Sequence, residues 1–143
     1  MNQELRQLRA KPKKIWLLVL AIAGLVISFL LQHIDMLHVL QMDVNPYIHF
    51  TIRKIIRVII NDLCMLLIIH VWFNNKSITK LAYNVMLIDT LLLLPLYLAL
   101  KLSIEGDSEI SSPLLSQLHR VIVNPTLMIL IIPGVYFHRL KSE

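Results

Sequence analysis

Residues 15–31, IWLLVLAIAGLVISFLL, carry no charge at all. A run like that constrains the fold more than anything else in the chain. A helix crossing the hydrocarbon of a bilayer needs about 20 apolar residues, range about 17–25. Three more stretches are long and apolar enough, each holding one or two charged residues: 55–73, 81–100 and 118–137. In lipid every backbone group must be satisfied within its own segment or by a closed barrel, so long apolar runs read as helices. The expectation is an all-α membrane protein with four transmembrane helices over 15–137. A basic segment, 1–14, precedes them and a short tail, 138–143, follows.

Composition supports this. Of 143 residues, 57 % are hydrophobic and 16 % charged. A soluble domain is nearer about 45–50 % and about 25 %. Mean hydropathy is +0.69. The net charge of +5 would suggest nucleic acid in a soluble protein. Here five basic residues crowd into Arg6 to Lys14, a pattern that anchors a chain to anionic headgroups. No aromatic-interleaved basic patch accompanies them, so no nucleic-acid partner is expected and the bilayer is. The lone cysteine, Cys64, excludes an internal disulfide and a cysteine-based metal cluster. His33, His38 and His49 match no standard ligand spacing, so neither a metal nor a cofactor is expected.

The loops set the orientation. The first run is followed by Gln32, His33, Ile34, Asp35 and Met36, with no small-x-small cleavage site, so it reads as an uncleaved helix rather than a signal peptide. Asn45-Pro46 signals a turn, and the mixed-polarity residues from Pro46 on read as the first turns of helix two, lying at the interface. Asn74 to Ser77 makes a tight turn after Trp72 and Phe73, aromatic residues suited to an interface. Pro95 is expected to kink the third span. Nine basic residues fall on one set of flanks (Arg6, Arg9, Lys11, Lys13, Lys14, Lys76, Lys80, Arg139, Lys141). Three, Arg53, Lys54 and Lys101, fall on the other. Five acids (Asp35, Asp43, Glu105, Asp107, Glu109) join the smaller group. By the positive-inside rule both termini are cytoplasmic.

One pattern repeats. RVIIND at 57–62 is echoed by RVIVNP at 120–125, each at the start of an apolar run. An arginine and an asparagine four apart share a helix face. With the second and fourth spans starting at 55 and 118, Arg57 and Arg120 lie ~3 Å inside and Asn61 and Asn124 ~9 Å. The two arginines read either as snorkelling anchors or as matching struts of a polar cluster. Asn61 and Asn124 read as interhelical glue. Asp62 needs a partner, and Arg120 is the obvious one. Asp89 falls near mid-membrane, where an aspartate costs roughly 2.5–3.5 kcal/mol on insertion scales, so it must be protonated, paired or wet. His119 reads as a solvated interface histidine. Cys64 lies ~13 Å below the outer surface. Beside His119 and Arg120 its thiolate would be a nucleophile; the plain alternative is a small buried hydrophobe.

The run from Arg53 to Phe73, LPLY at 94–97 and the block HRVIVNPTLMILIIPGVYFHR at 119–139 together resemble the exosortase F system-associated family of small membrane proteins from flavobacteria and their relatives. The resemblance covers about two-thirds of the chain, from Asn45 to the C-terminus. It implies a bacterial inner-membrane protein working beside an exosortase, a membrane cysteine transpeptidase that processes sorting-signal tails, and it carries no activity for the family itself. Exosortases use a cysteine, an arginine and a histidine at the outer face. This chain lacks the Ala-Cys-Ser-Gly stretch around their cysteine. The reading is therefore a non-enzymatic accessory partner of an exosortase, docking through Arg57, Asn61, Asp62, Arg120 and Asn124, with Asp89 a further polar member. Two alternatives stand beside it: a minimal thiol peptidase using Cys64, His119 and Arg120, and a small proton-coupled transport protein using Asp89.

Overall fold

The computed structural model describes residues 12–31, 45–106 and 112–141. The basic cluster up to Lys11, the first loop through residue 44 with His33 and His38, and the acidic stretch 107–111 lie outside the described residues. What is described is helical throughout, as the apolar runs require: α1 (Pro12–Leu30), α2 (Pro46–Phe73), α3 (Lys76–Ile88), a π-helical turn (Asp89–Leu93), α4 (Leu94–Ile104), α5 (Pro113–Val123) and α6 (Thr126–Lys141). Three helices are long and apolar enough to cross a membrane, the third being α3, the π turn and α4 in continuity. A fourth crossing follows if α5 and α6, bent by 64°, are one broken span.

Local chemistry explains the boundaries. Asn45 caps α2 by accepting from the Tyr47 backbone N–H at 3.0 Å, and Pro46 fills a first-turn position where no donor is needed. This cap starts α2 at Pro46, nine residues ahead of the apolar run at 55, as the first turns of that helix. The helix therefore runs ~42 Å by rise per residue, longer than the hydrocarbon is thick. At its other end Asn74 adopts a left-handed conformation, φ 47°, and returns its N–H to the His70 carbonyl. Asn75 then caps α3 by accepting from the Ser77 N–H at 2.8 Å. The tight turn expected at 74–77 is built this way.

Two departures from regular helix follow from proline. Pro95 has no N–H to give. Just ahead of it the chain widens, and Leu94 N–H reaches back five residues to the Asp89 carbonyl. The expected kink is thus a π turn, and it rotates the inward face by about one residue. Ala82 and Asp89 face inward before it and Leu94, Tyr97, Leu98 and Lys101 after it. At Pro125 the outcome is a break. A residue preceding proline is driven out of the α region, and Asn124 sits at φ −88°, ψ 145°. The single straight span expected over 118–137 is therefore two helices.

The spans alternate in direction. At one end Lys14 Nζ donates to Asn74 Oδ1 at 2.8 Å, Trp72 Nε1 donates to the Tyr136 hydroxyl at 3.2 Å, and Arg139 lies over the Phe73 ring. At the other, expected to be the outer end, Lys54 meets His119 and Tyr47 lies against Gly106. Lipid offers no hydrophobic drive to bring helices together, so close packing must do it. Gly24 of α1 shows how close: a Cβ there would stand 2.7 Å from Cys64 Sγ. Among the described side chains of α1 only Ala21 is buried; the rest face outward or are half-covered.

The buried side chains form two separate cores. Phe50, Val58, Leu94, Tyr97, Leu98, Leu115, Ile122 and Val123 make the one nearer the Lys54–His119 end. Met65, Ile69, Ala82, Met128 and Ile131 make the one nearer the Trp72–Tyr136 end. Each contributing span passes from one core to the other at the same level, and a polar feature lies at each crossing. These are Asn61 and Asp62 between Val58 and Met65, Asp89 between Ala82 and Leu94, and the Asn124-Pro125 break between Val123 and Met128.

Candidate functional site

That polar layer is the first candidate site. Because α2 begins at Pro46, Asn61 and Asp62 lie near the middle of the helix, ~23 Å from its start. Asp89 is likewise central in its span. Asn61 Nδ2 donates to the Val123 carbonyl at 2.9 Å in a buried bond. The break strips Val123 of its usual helical donor, and Asn61 replaces it. A second orphan carbonyl, that of Arg120, accepts from the Thr126 hydroxyl at 3.1 Å. So Asn61 is interhelical glue, while Asn124 is the exposed hinge of the break.

Asp62 does not pair with Arg120, which is exposed on α5. It is turned instead toward Asp89, within hydrogen-bonding reach if one of the two carries a proton. Each acid is 1 % exposed, and none of the four carboxyl oxygens has a hydrogen-bond partner among the described residues. A carboxylate only accepts. Two of them facing each other in an apolar interior is the least satisfied arrangement among the described residues.

The second candidate site is cationic and lies in the half of the bundle that holds Lys54 and His119. Lys54 Nζ and His119 Nε2 are 2.9 Å apart, so the ring nitrogen acts as acceptor and the imidazole is neutral there. The ring also packs on Tyr97, centroids 5.8 Å apart. Lys54, Arg57, Lys101 and Arg120 all lie close enough to act on it electrostatically. His119 is thus a half-buried member of a cluster and not a solvated interface residue. Arg57, half-buried, belongs to the same cluster.

Lys101 was legible only as a loop residue. It is 1 % exposed and pairs with Glu105 one turn on. The Glu105 carboxylate also accepts from the Ser112 backbone N–H. The Lys101 contact, then the Ser112 N–H, draw the Glu105 carboxyl down to about 2. The signal was present: Tyr97, Lys101 and Glu105 recur at four-residue spacing on one helix face.

Cys64 stands apart from both sites. It packs against Gly24 of α1. The lysine that holds His119 is ten residues away on the same helix, ~15 Å along the axis. Cysteine, histidine and Arg120 are therefore not assembled as a thiol peptidase would need. Among the described residues no three His, Cys, Asp or Glu side chains converge on one point.

No protein-family model, curated protein or solved structure matches this chain. The polar groups sort into a structural tie (Asn61 to Val123), an unsatisfied acid pair (Asp62 and Asp89) and a basic cluster around His119.

Proposed function

We propose that this chain is a non-enzymatic accessory subunit of a membrane protein-sorting system of the exosortase type, embedded in a bacterial inner membrane. The observation that carries the non-enzymatic half is the separation of Cys64 from His119 and Arg120. A thiol is activated by a base within hydrogen-bond reach, and here the thiol faces a glycine of another helix. The resemblance of the Arg53–Phe73 and His119–Arg139 blocks to exosortase F-associated proteins supplies the choice of partner.

Docking falls to part of the expected cluster. Asn61 and Asp62 are buried within the bundle, whereas Arg120 and Asn124 are exposed on α5 and at the break after it. A partner helix with an acidic or amide group would meet them from the lipid side, where interhelical hydrogen bonds contribute to association. The test is co-purification from solubilised membranes of a host that encodes an exosortase, with wild type and Arg120→Ala side by side and the exosortase quantified directly. Recovery with wild type and loss with the variant, at equal levels of this protein, supports the reading. Equal recovery with both removes Arg120 from docking, and no exosortase with wild type ends the proposal.

A second reading rests on a different observation. Two unpartnered acids at the centre of a membrane bundle are a feature of proton-handling proteins. Transport activity abolished by Asp89→Asn would favour it; full function in that variant would end it.

A further inference from the structure

We propose that Asp62 and Asp89 form a single-proton site at the centre of the bundle. One proton is held between the two carboxyls as an O–H···O bridge, and the pair carries one negative charge. The inference is independent of the accessory reading and survives or fails without it.

Geometry leads to it. Each carboxyl is 1 % exposed, each is aimed at the other from a neighbouring span, and all four oxygens lack a donor among the described residues. Two facing carboxylates can only repel, and a low-dielectric interior magnifies that repulsion. One added proton turns one group into a donor and the other into its acceptor. Both oxygens at the contact are then satisfied by a ligand small enough to need no cavity.

The surroundings offer no other remedy among the described residues. On α2 the adjacent Asn61 amide is committed to Val123, and the nearest cation, Arg57, is five residues outward. On the third span the nearest charged side chains are Lys80 and Lys101, nine and twelve residues away, and Lys101 is engaged by Glu105. Thr90 beside Asp89 is a neutral hydroxyl. α1 holds no charge between Lys14 and Leu31 and presents Gly24 to α2. On α5, Arg120 is exposed and His119 is engaged by Lys54. α6 has no titratable side chain before Tyr136. A divalent cation is a poor fit: calcium takes about 6–8 oxygens and magnesium a full octahedron, and no third His, Cys, Asp or Glu joins the pair.

A way to interrogate the site is built in. Ile59, Leu63, Met86, Leu87, Thr90 and Leu91 line an apolar groove of about 180 Å³ between the two spans, and Leu63 and Thr90 are the chain neighbours of the two acids. A lipid-soluble carbodiimide, which reacts with protonated carboxyls, has its approach there.

The experiment is infrared spectroscopy at neutral pH on the purified full chain in phosphatidylcholine bilayers, comparing wild type with Asp62→Asn and Asp89→Asn. Circular dichroism checks that the helices persist. The expected result is one protonated-carboxyl band per chain in wild type and its loss in either variant, because the new amide donates to the remaining carboxylate in the proton's place. Dicyclohexylcarbodiimide should label Asp62 or Asp89 in wild type, read by mass spectrometry. Absence of the band from wild type, which needs no variant to fold, overturns the proposal. So does a band that persists in both variants, since each acid would then hold its own proton or the band would arise elsewhere.

Discussion

The side-chain amide of Asn61 donates to the backbone carbonyl of Val123 across 2.9 Å, one helix supplying the hydrogen bond that a break removed from another. Proline at 125 creates the need and asparagine at 61 meets it. Breaks in membrane helices persist where a neighbour re-satisfies the freed backbone groups.

Replacing Asn61 with alanine leaves that carbonyl buried without a donor, and such a loss costs about 1–3 kcal/mol. Asn124→Ala, at an exposed hinge, should stay within about 0.5 kcal/mol of wild type. Equilibrium unfolding in mixed micelles reads both. Equal losses would mean that the two asparagines are equivalent struts after all.

A second prediction concerns the close approach of α1. In Gly24→Ala the new methyl would stand 2.7 Å from Cys64 Sγ, so the thiol must rotate or the helices part. Overpacking costs about 1–3 kcal/mol, and the low end applies where a side chain has a free rotation. Cys64→Ala makes room for the methyl. The double variant should therefore be more stable than the sum of the two single losses, by about 0.5 kcal/mol or more. Strict additivity would place the contact elsewhere.

Much of this was legible in the sequence, and the misreadings share one cause. Long apolar runs located the helices, and Asn-Pro, Asn-Asn and Pro95 marked the caps and the bend. Hydropathy marks where an apolar run begins, whereas a cap marks where the helix begins, so α2 extends ahead of 55 to Pro46. The repeat RVIIND and RVIVNP suggested equivalence. Its sixth position decides otherwise: Asp62 lets α2 continue, and Pro125 stops α5. The Asp62–Asp89 and Lys54–His119 pairs join different spans, and no local spacing encodes them.

Acid should weaken the outer end in a defined window. The Glu105 carboxyl is held at about 2 by Lys101 and the Ser112 N–H, below its ordinary 4.5. A depressed carboxyl contributes stability above its unfolded value, and that contribution fades as pH falls through the folded one. Thermal unfolding in detergent should therefore drop between pH 4.5 and 2. Glu105→Gln should be less stable than wild type above the window and show a smaller drop across it. Parallel curves would mean that the contact adds nothing.

The bend between α5 and α6 is attributable to Pro125 alone, and that attribution is the most exposed to test. Asn124 is extended because a proline follows it. With Pro125→Ala the α region reopens at Asn124, and the backbone N–H missing at 125 returns. A continuous helix would then give the Val123 carbonyl its own donor four residues on and leave the buried Asn61 amide without an acceptor. Two readouts follow. Spin labels at Leu114 and Phe137, 70 % and 71 % exposed, in a Cys64→Ala background, span ~29 Å along a path bent by 64° and ~34 Å along a straight one, taking 1.5 Å per residue. Electron–electron distance measurement should show the longer value in Pro125→Ala. Asn61→Ala, which costs about 1–3 kcal/mol in wild type, should cost little in the straightened variant, because its acceptor is already taken. If the distance stays at ~29 Å, packing of α6 against α2 and α3 imposes the bend, and the proline merely occupies a break made by its neighbours.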